Sequence, residues 1–168
     1  MSEKPASWGV FVSQTLVAAL LSAGIIGMFV QCAIEDTRFT RDWKERSLGE
    51  VVGPAVMHLD RTARVAQRYR KKPVSYFAAR IMRESNEEVR SILLKNGHLI
   101  PEDLREHAHR LVEHHDVWIL RFDEKVAREQ PNQDTPFDVK FATPEFPDDA
   151  GAAFKQSYAL LRKDLYDQ

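Results

Sequence analysis

No charged side chain occurs between Pro5 and Ile34, and within that stretch Val10 to Val30 is apolar apart from Ser13, Gln14, Thr15 and Ser22. This run constrains the chain more than any other feature. As a helix it spans roughly 30 Å, the thickness of a bilayer's hydrocarbon core. Its eleven Leu, Ile, Val and Phe residues favour insertion by roughly 3 to 7 kcal/mol, and Ser13, Gln14 and Thr15 lie near one end, where polar groups cost least. The sequence therefore predicts a transmembrane helix over residues 8–34, preceded by a short outer tail, residues 1–7.

A cleaved secretory signal fits the same stretch less well, because it needs a basic leading region, a shorter apolar core and a small-x-small cleavage site. Here Lys4 is offset by Glu3, the apolar run is too long, and Phe29 to Ile34 offers no small-residue site. Gln31 is also too bulky to precede a lipoprotein cysteine at Cys32. Orientation follows from the flanking cations: Arg38, Arg41, Lys44 and Arg46 come after the span and only Lys4 before it. The positive-inside rule then puts the N-terminus outside and the C-terminal bulk in the cytoplasm, as in a single-pass protein of a cell's inner (plasma) membrane. Trp8 on one side and Phe39 with Trp43 on the other suit the headgroup level.

The chain's 24 Lys and Arg nearly balance 25 Asp and Glu, so no global field calls for nucleic acid or an acidic partner. Charge is local. Residues 35–72 carry ten basic and six acidic side chains, whereas residues 130–150 carry one basic and five acidic. Arg68 to Lys72 is the densest basic run and reads as the cationic end of a helix. A single cysteine excludes an internal disulfide framework or a cysteine-based zinc site, in keeping with a reducing compartment.

The remaining 130 or so residues suffice for one core, and its periodicity is helical. A juxtamembrane segment, residues 35–46, leads into a helical bundle over residues 47–129. Leu48, Val52, Ala55, Val56, Leu59, Ala63, Ala66 and Tyr69 recur in steps close to three and four, with Pro54 in a first turn or a kink. Val74, Phe77, Ala78, Ile81 and Met82 continue the pattern, followed by Val89, Ile92 and Leu93. Ser85 to Glu88 matches a capping box, so this element is one helix or two with a break at Ser85. Asn96-Gly97 supplies the stop.

The clearest helix begins at Pro101 and shows Leu104, Ala108, Leu111, His115, Trp118, Phe122 and Val126 as its stripe. Four prolines interrupt the next twenty residues, a docking loop over 130–149. Its Phe137, Phe141 and Phe146 must cover something, either the bundle or a protein partner. Asp148 or Asp149 then starts a C-terminal helix, within residues 150–168. The fold class is all-α: an N-terminal single transmembrane helix plus a cytoplasmic antiparallel helical bundle of about four helices.

Chemistry is sought first among the histidines, four of which fall between His107 and His115. Asp103, His107, Arg110 and His114 lie within about 60° of one another on a helix, beside the apolar stripe. Asp103, His107 and His114 are the candidate metal ligands, although His107 and His114 are two turns apart, roughly 10 Å, and lack the spacing of a zinc protease helix. His115 falls inside the stripe, where a neutral imidazole bonded to a carbonyl or carboxylate is expected. Arg110 and His115 have the arginine, four to six residues, histidine spacing that resembles the motif of HEPN ribonucleases, all-helical proteins that often dimerise to build their site. That resemblance implies Arg110 and His115 as the ribonuclease pair, with His115 acting on the 2′-hydroxyl; Leu111 stands where that family usually has a polar residue. No phosphate-binding glycine loop, nucleophile elbow or paired-cysteine motif occurs, and no cofactor is expected.

Ala19, Ala23 and Gly27 repeat every fourth residue along the apolar run, a pattern that lets two membrane helices approach closely. They are the candidate oligomerisation face, with Gln14 as a supplementary hydrogen-bonding group. The strings Leu93-Leu94-Lys95-Asn96-Gly97-His98-Leu99-Ile100-Pro101 and His114-His115-Asp116-Val117-Trp118 resemble small bacterial membrane-anchored helical proteins, some encoded beside phage-defence genes. The resemblance implies a bacterial inner membrane and an immune accessory or effector, and transfers no site residues. The expected function is that of a membrane-anchored protein-interaction or oligomerisation module, a subunit or accessory of a membrane complex. Its partners are the bilayer and either another protein or copies of itself. The alternatives are an abortive-infection membrane effector whose spans assemble to perturb the bilayer, and a membrane-tethered ribonuclease.

Overall fold

The computed structural model describes Gln31 and residues 34–70, 73–138 and 145–167. Val10 to Val30, with Ala19, Ala23 and Gly27, lies outside the described residues, as does Phe141. Among the described residues no helix is long and apolar enough to cross a membrane. The chain divides into two compact units, Met1–Asp42 and Trp43–Gln168. In the first, residues 34–42 are helical and exposed.

The second unit is all-helical. Residues 43–46 lead into a π-helical turn, Ser47–Val52, followed by α1 (Gly53–Arg68), α2 (Tyr76–Lys95), α3 (Arg105–Glu129) and α4 (Asp148–Tyr166). Trp43 is half-buried against the core, and its indole N–H donates to the His98 carbonyl at 3.4 Å, so it belongs to this domain's packing.

The π-turn has a local cause. Pro54 cannot donate to the carbonyl four residues earlier, and its ring would clash there. The backbone widens by one residue instead, so that the Gly53 N–H reaches the Leu48 carbonyl. Ser47, Leu48, Val51 and Val52 are buried in this turn. Gly53 is needed at the junction: a Cβ there would stand 2.7 Å from the Leu48 carbonyl oxygen and 3.6 Å from Tyr158 Cε2 on α4.

Helix α2 starts at Ser75, whose extended backbone (ψ 154°) and hydroxyl, accepting from the Ala78 N–H at 3.3 Å, make an N-cap. The helix then runs unbroken to Lys95. The capping-box pattern at Ser85 is therefore not a helix start, because Ser85 and Asn86 are buried in mid-helix, and tertiary packing overrides the local signal. Asn96 ends the element, its side-chain amide donating to the Ile92 carbonyl at 3.2 Å. Pro101 opens a 3-10 turn, Glu102–Leu104, that runs into α3. Helix α3 stops at Gln130, which turns left-handed (φ 43°) immediately before Pro131.

Two series of contacts fix direction. Arg83 pairs bidentately with Asp123 at 2.7 and 2.9 Å, and Arg90 pairs with Asp116, so α2 and α3 are antiparallel. Lys44–Asp164 at 2.9 Å and Lys155–Asp60 at 2.6 Å set α4 antiparallel to the N-terminal part of the domain. Such exposed pairs are worth about 0 to 1 kcal/mol each; they specify register more than they stabilise.

Stability comes from two apolar clusters. One gathers the π-turn with Leu59, Leu93, Leu99, Leu104, Leu111, Phe154 and Leu161; the other joins Ala79, Met82, Trp118, Phe122 and Phe137. Phe137 reaches its place through an antiparallel bridge between Ser75 and Pro136, in which the Phe137 N–H donates to Val74 at 2.6 Å and the Tyr76 N–H to Thr135 at 2.9 Å. Asn132 and Thr135 close the preceding turn through their own side chains. The Phe137 ring is fully buried between Tyr76 and Phe122, at centroid distances of 5.5 and 5.2 Å. It covers the bundle itself and presents no surface to a partner.

Gly53→Ala should destabilise the domain by about 1 to 3 kcal/mol despite alanine's better helix propensity, since the obstructing atom is a backbone oxygen. Phe137→Ala should cost about 3 to 5 kcal/mol. Denaturant unfolding of the full chain in mild detergent, followed by circular dichroism, measures both; an unchanged Phe137→Ala midpoint would reassign that ring to the surface.

Candidate functional site

A cavity of about 750 Å3 opens among all four helices. Leu59, Thr62, Ala63 and Ala66, spaced along one face of α1, make one wall, and Gly151 and Ala152 of α4 make another. The space exists because these last positions carry small side chains where neighbouring turns carry large ones. Its floor comes from Met82 and Asn86 of α2 and from His114 and Trp118 of α3, each pair four residues apart and each side chain under a tenth exposed. Phe146 leans over the floor, its ring perpendicular to His114 at 5.3 Å. Glu145, Asp148 and Lys155 stand exposed at the rim.

The polar groups within are few and deep. Asn86 is 4% exposed and His114 is 7% exposed. Thr62 Oγ1 is buried without a hydrogen-bond partner. An apolar enclosure of several hundred Å3 with a few convergent polar groups is the ordinary form of a small-molecule site.

The residues singled out by sequence are distributed differently. Arg110 is held by Asp149 at the start of α4 through two bonds of 3.1 and 2.6 Å. That guanidinium holds the Asp149 carboxyl below the usual carboxylate range. Arg110 also donates to His107 Nδ1 at 2.7 Å, which makes Nδ1 an acceptor. This cluster ties α3 to α4 and leaves no donor set for a metal: Asp103 lies exposed in the 3-10 turn, and His114 turns instead toward Phe146 and the cavity. Among the described residues no group of three or more His, Cys, Asp or Glu is arranged to hold a metal ion.

His115 is a core residue, as its place in the stripe implied, but the expected hydrogen bond is missing. At 1% exposure neither ring nitrogen has a partner. Burial, and secondarily His114 beside it, push its imidazole down to about 3. With Arg110 committed to Asp149 and His115 enclosed, the two do not face a common cleft, and the ribonuclease pairing has no geometric support here.

Of the three aromatics assigned to a partner, Phe137 is core and Phe146 is a partly exposed wall of the cavity. Sequence reasoning missed Asn86, Trp118 and the small residues opposite them as parts of one site. The available signal was Ala63 and Ala66 on one amphipathic helix and Gly151 and Ala152 on another, positions where a core-flanking face falls short of filling volume. Compared with protein-family models, curated proteins and solved structures, the chain matches none.

His115 gives a pH prediction. Its folded-state value lies below the unfolded 6.5, so the unfolded chain binds the extra proton and stability falls as pH drops from about 6.5 toward about 3. Between pH 7 and 4.5 this group should account for about 2 to 3 kcal/mol of lost stability. His115→Leu should remove that component and be near neutral or stabilising at pH 7, because two unpartnered polar atoms leave the core. Denaturant unfolding of both proteins across this range checks it; parallel pH profiles would contradict the assignment.

Proposed function

We propose that this protein is a single-pass, membrane-anchored interaction module whose helical domain lies on the cytoplasmic side and serves as a subunit or accessory of a membrane complex. The observation that carries the proposal is the uncharged run from Pro5 to Ile34, with Arg38, Arg41, Lys44 and Arg46 in the segment after it and only Lys4 before it. Support also comes from the domain that follows, which closes its own apolar core and retains a cavity. Ala19, Ala23 and Gly27 supply the face through which copies associate. The resemblance to membrane-anchored helical proteins near phage-defence genes adds a role in bacterial immunity as the setting.

The same small-residue face, with Gln14 beside it, supports a second reading in which spans assemble to perturb the bilayer. The two readings separate by phenotype. An effector arrests growth and depolarises the membrane on overexpression, dependent on residues 8–34, whereas a recruitment module does not.

Membrane anchorage is tested by alkaline carbonate extraction. The full chain should remain with the membrane pellet, and a chain lacking residues 1–34 should move to the supernatant. In detergent, light scattering should show a multimer that Ala19→Leu combined with Gly27→Leu lowers in mass. Extraction of the full chain by carbonate would overturn the anchor, and an unchanged mass in the double variant would remove the assembly face.

A further inference from the structure

We propose that the cavity between the four helices is a binding site for a flat aromatic molecule bearing one cationic group. This goes beyond the interaction role and does not depend on it, since every lining residue belongs to the helical domain.

Shape and lining give the aromatic body. The floor offers the Trp118 indole, itself stacked on Phe122 at 5.5 Å, and the Met82 thioether; Phe146 stands at the wall. Flat rings and sulfur make favourable contacts with such a ligand. The Asn86 carboxamide presents both a donor and an acceptor from a side chain that is 4% exposed and lines the cavity. This favours a ligand carrying a hydrogen-bonding group, because a polar group covered by an unmatched apolar surface is costly.

The rim gives the charge. Lys155 is matched by Asp60 at 2.6 Å, whereas Glu145 and Asp148 carry two further carboxylates at the mouth. The α4 N-terminus contributes only about half a positive charge against them. The local field therefore favours a cation, which also gains from the Phe146 ring at the wall, and it disfavours carboxylates and phosphates.

A matched series tests this in the full chain, held in zwitterionic phosphatidylcholine nanodiscs: 1-naphthylmethylamine, 1-naphthalenemethanol and 1-naphthoate, alike in ring and different in charge. The readout is the methyl signal of Met82, with exposed Met57 as the internal control. The amine should shift Met82 saturably and bind about tenfold more tightly than the naphthoate, with the alcohol between them. Glu145→Gln with Asp148→Asn should bring amine and alcohol within about twofold while leaving the alcohol's affinity unchanged, as removal of two exposed charges predicts. Both carboxylates are exposed, so the variant keeps its fold, which an unchanged circular dichroism spectrum and unfolding midpoint verify. No saturable Met82 shift, equal affinities across the series, or a preference for naphthoate would each overturn the proposal.

Discussion

The core of this domain is divided in two by polar residues in the middle of its longest helices. On α3, His114 and His115 separate Leu111 of one cluster from Trp118 of the other; on α2, Ser85 and Asn86 separate Val89 from Met82. A continuous apolar seam would have packed shut, because interiors are filled to crystal-like density. Here the seam is interrupted by groups that cannot be satisfied by apolar neighbours. His115 and Ser85 keep unpartnered polar atoms inside the protein, each at a cost of about 1 to 3 kcal/mol, while His114 and Asn86 open onto the cavity.

The domain offsets that cost at its ends. At one end the π-turn, forced by Pro54 and admitted by Gly53, buries four residues against α4 and seats the larger cluster. At the other, the segment after α3 turns back at Gln130 and pins Phe137 onto Tyr76 and Phe122. The termini of the bundle are thus well packed and its waist is not. Ion pairs between α2 and α3, and between α3 and α4, span that waist on the outside and hold the helices in register around it.

Much of this was legible from the residues. Apolar spacing placed the helices; the stops at Asn96-Gly97 and before Pro131 are local chemistry. Three aromatics in a proline-rich loop had to dock, and Phe137 does. The failures have a common physical origin in tertiary packing. A capping box reads the same in mid-helix as at a start, and only burial of Ser85 and Asn86 decides between them. The helical wheel put His115 inward but could not show that no carbonyl or carboxylate reaches it. The spacing that joined Arg110 to His115 ignores Asp149, which lies 39 residues away in sequence and captures the arginine.

The cavity was the least legible feature because it is made by what four separate helices lack. Ala63 and Ala66 read as ordinary members of an apolar stripe, and Gly151 and Ala152 are the small residues of α4 that face them across the cavity. Their shortness becomes space only when α1 and α4 are placed opposite Asn86, His114 and Trp118. The same placement explains why polar side chains persist there. The unpartnered atoms belong to His115 and Ser85, whose replacement by apolar residues of like volume would stabilise the fold, whereas Asn86 and His114 line the space itself.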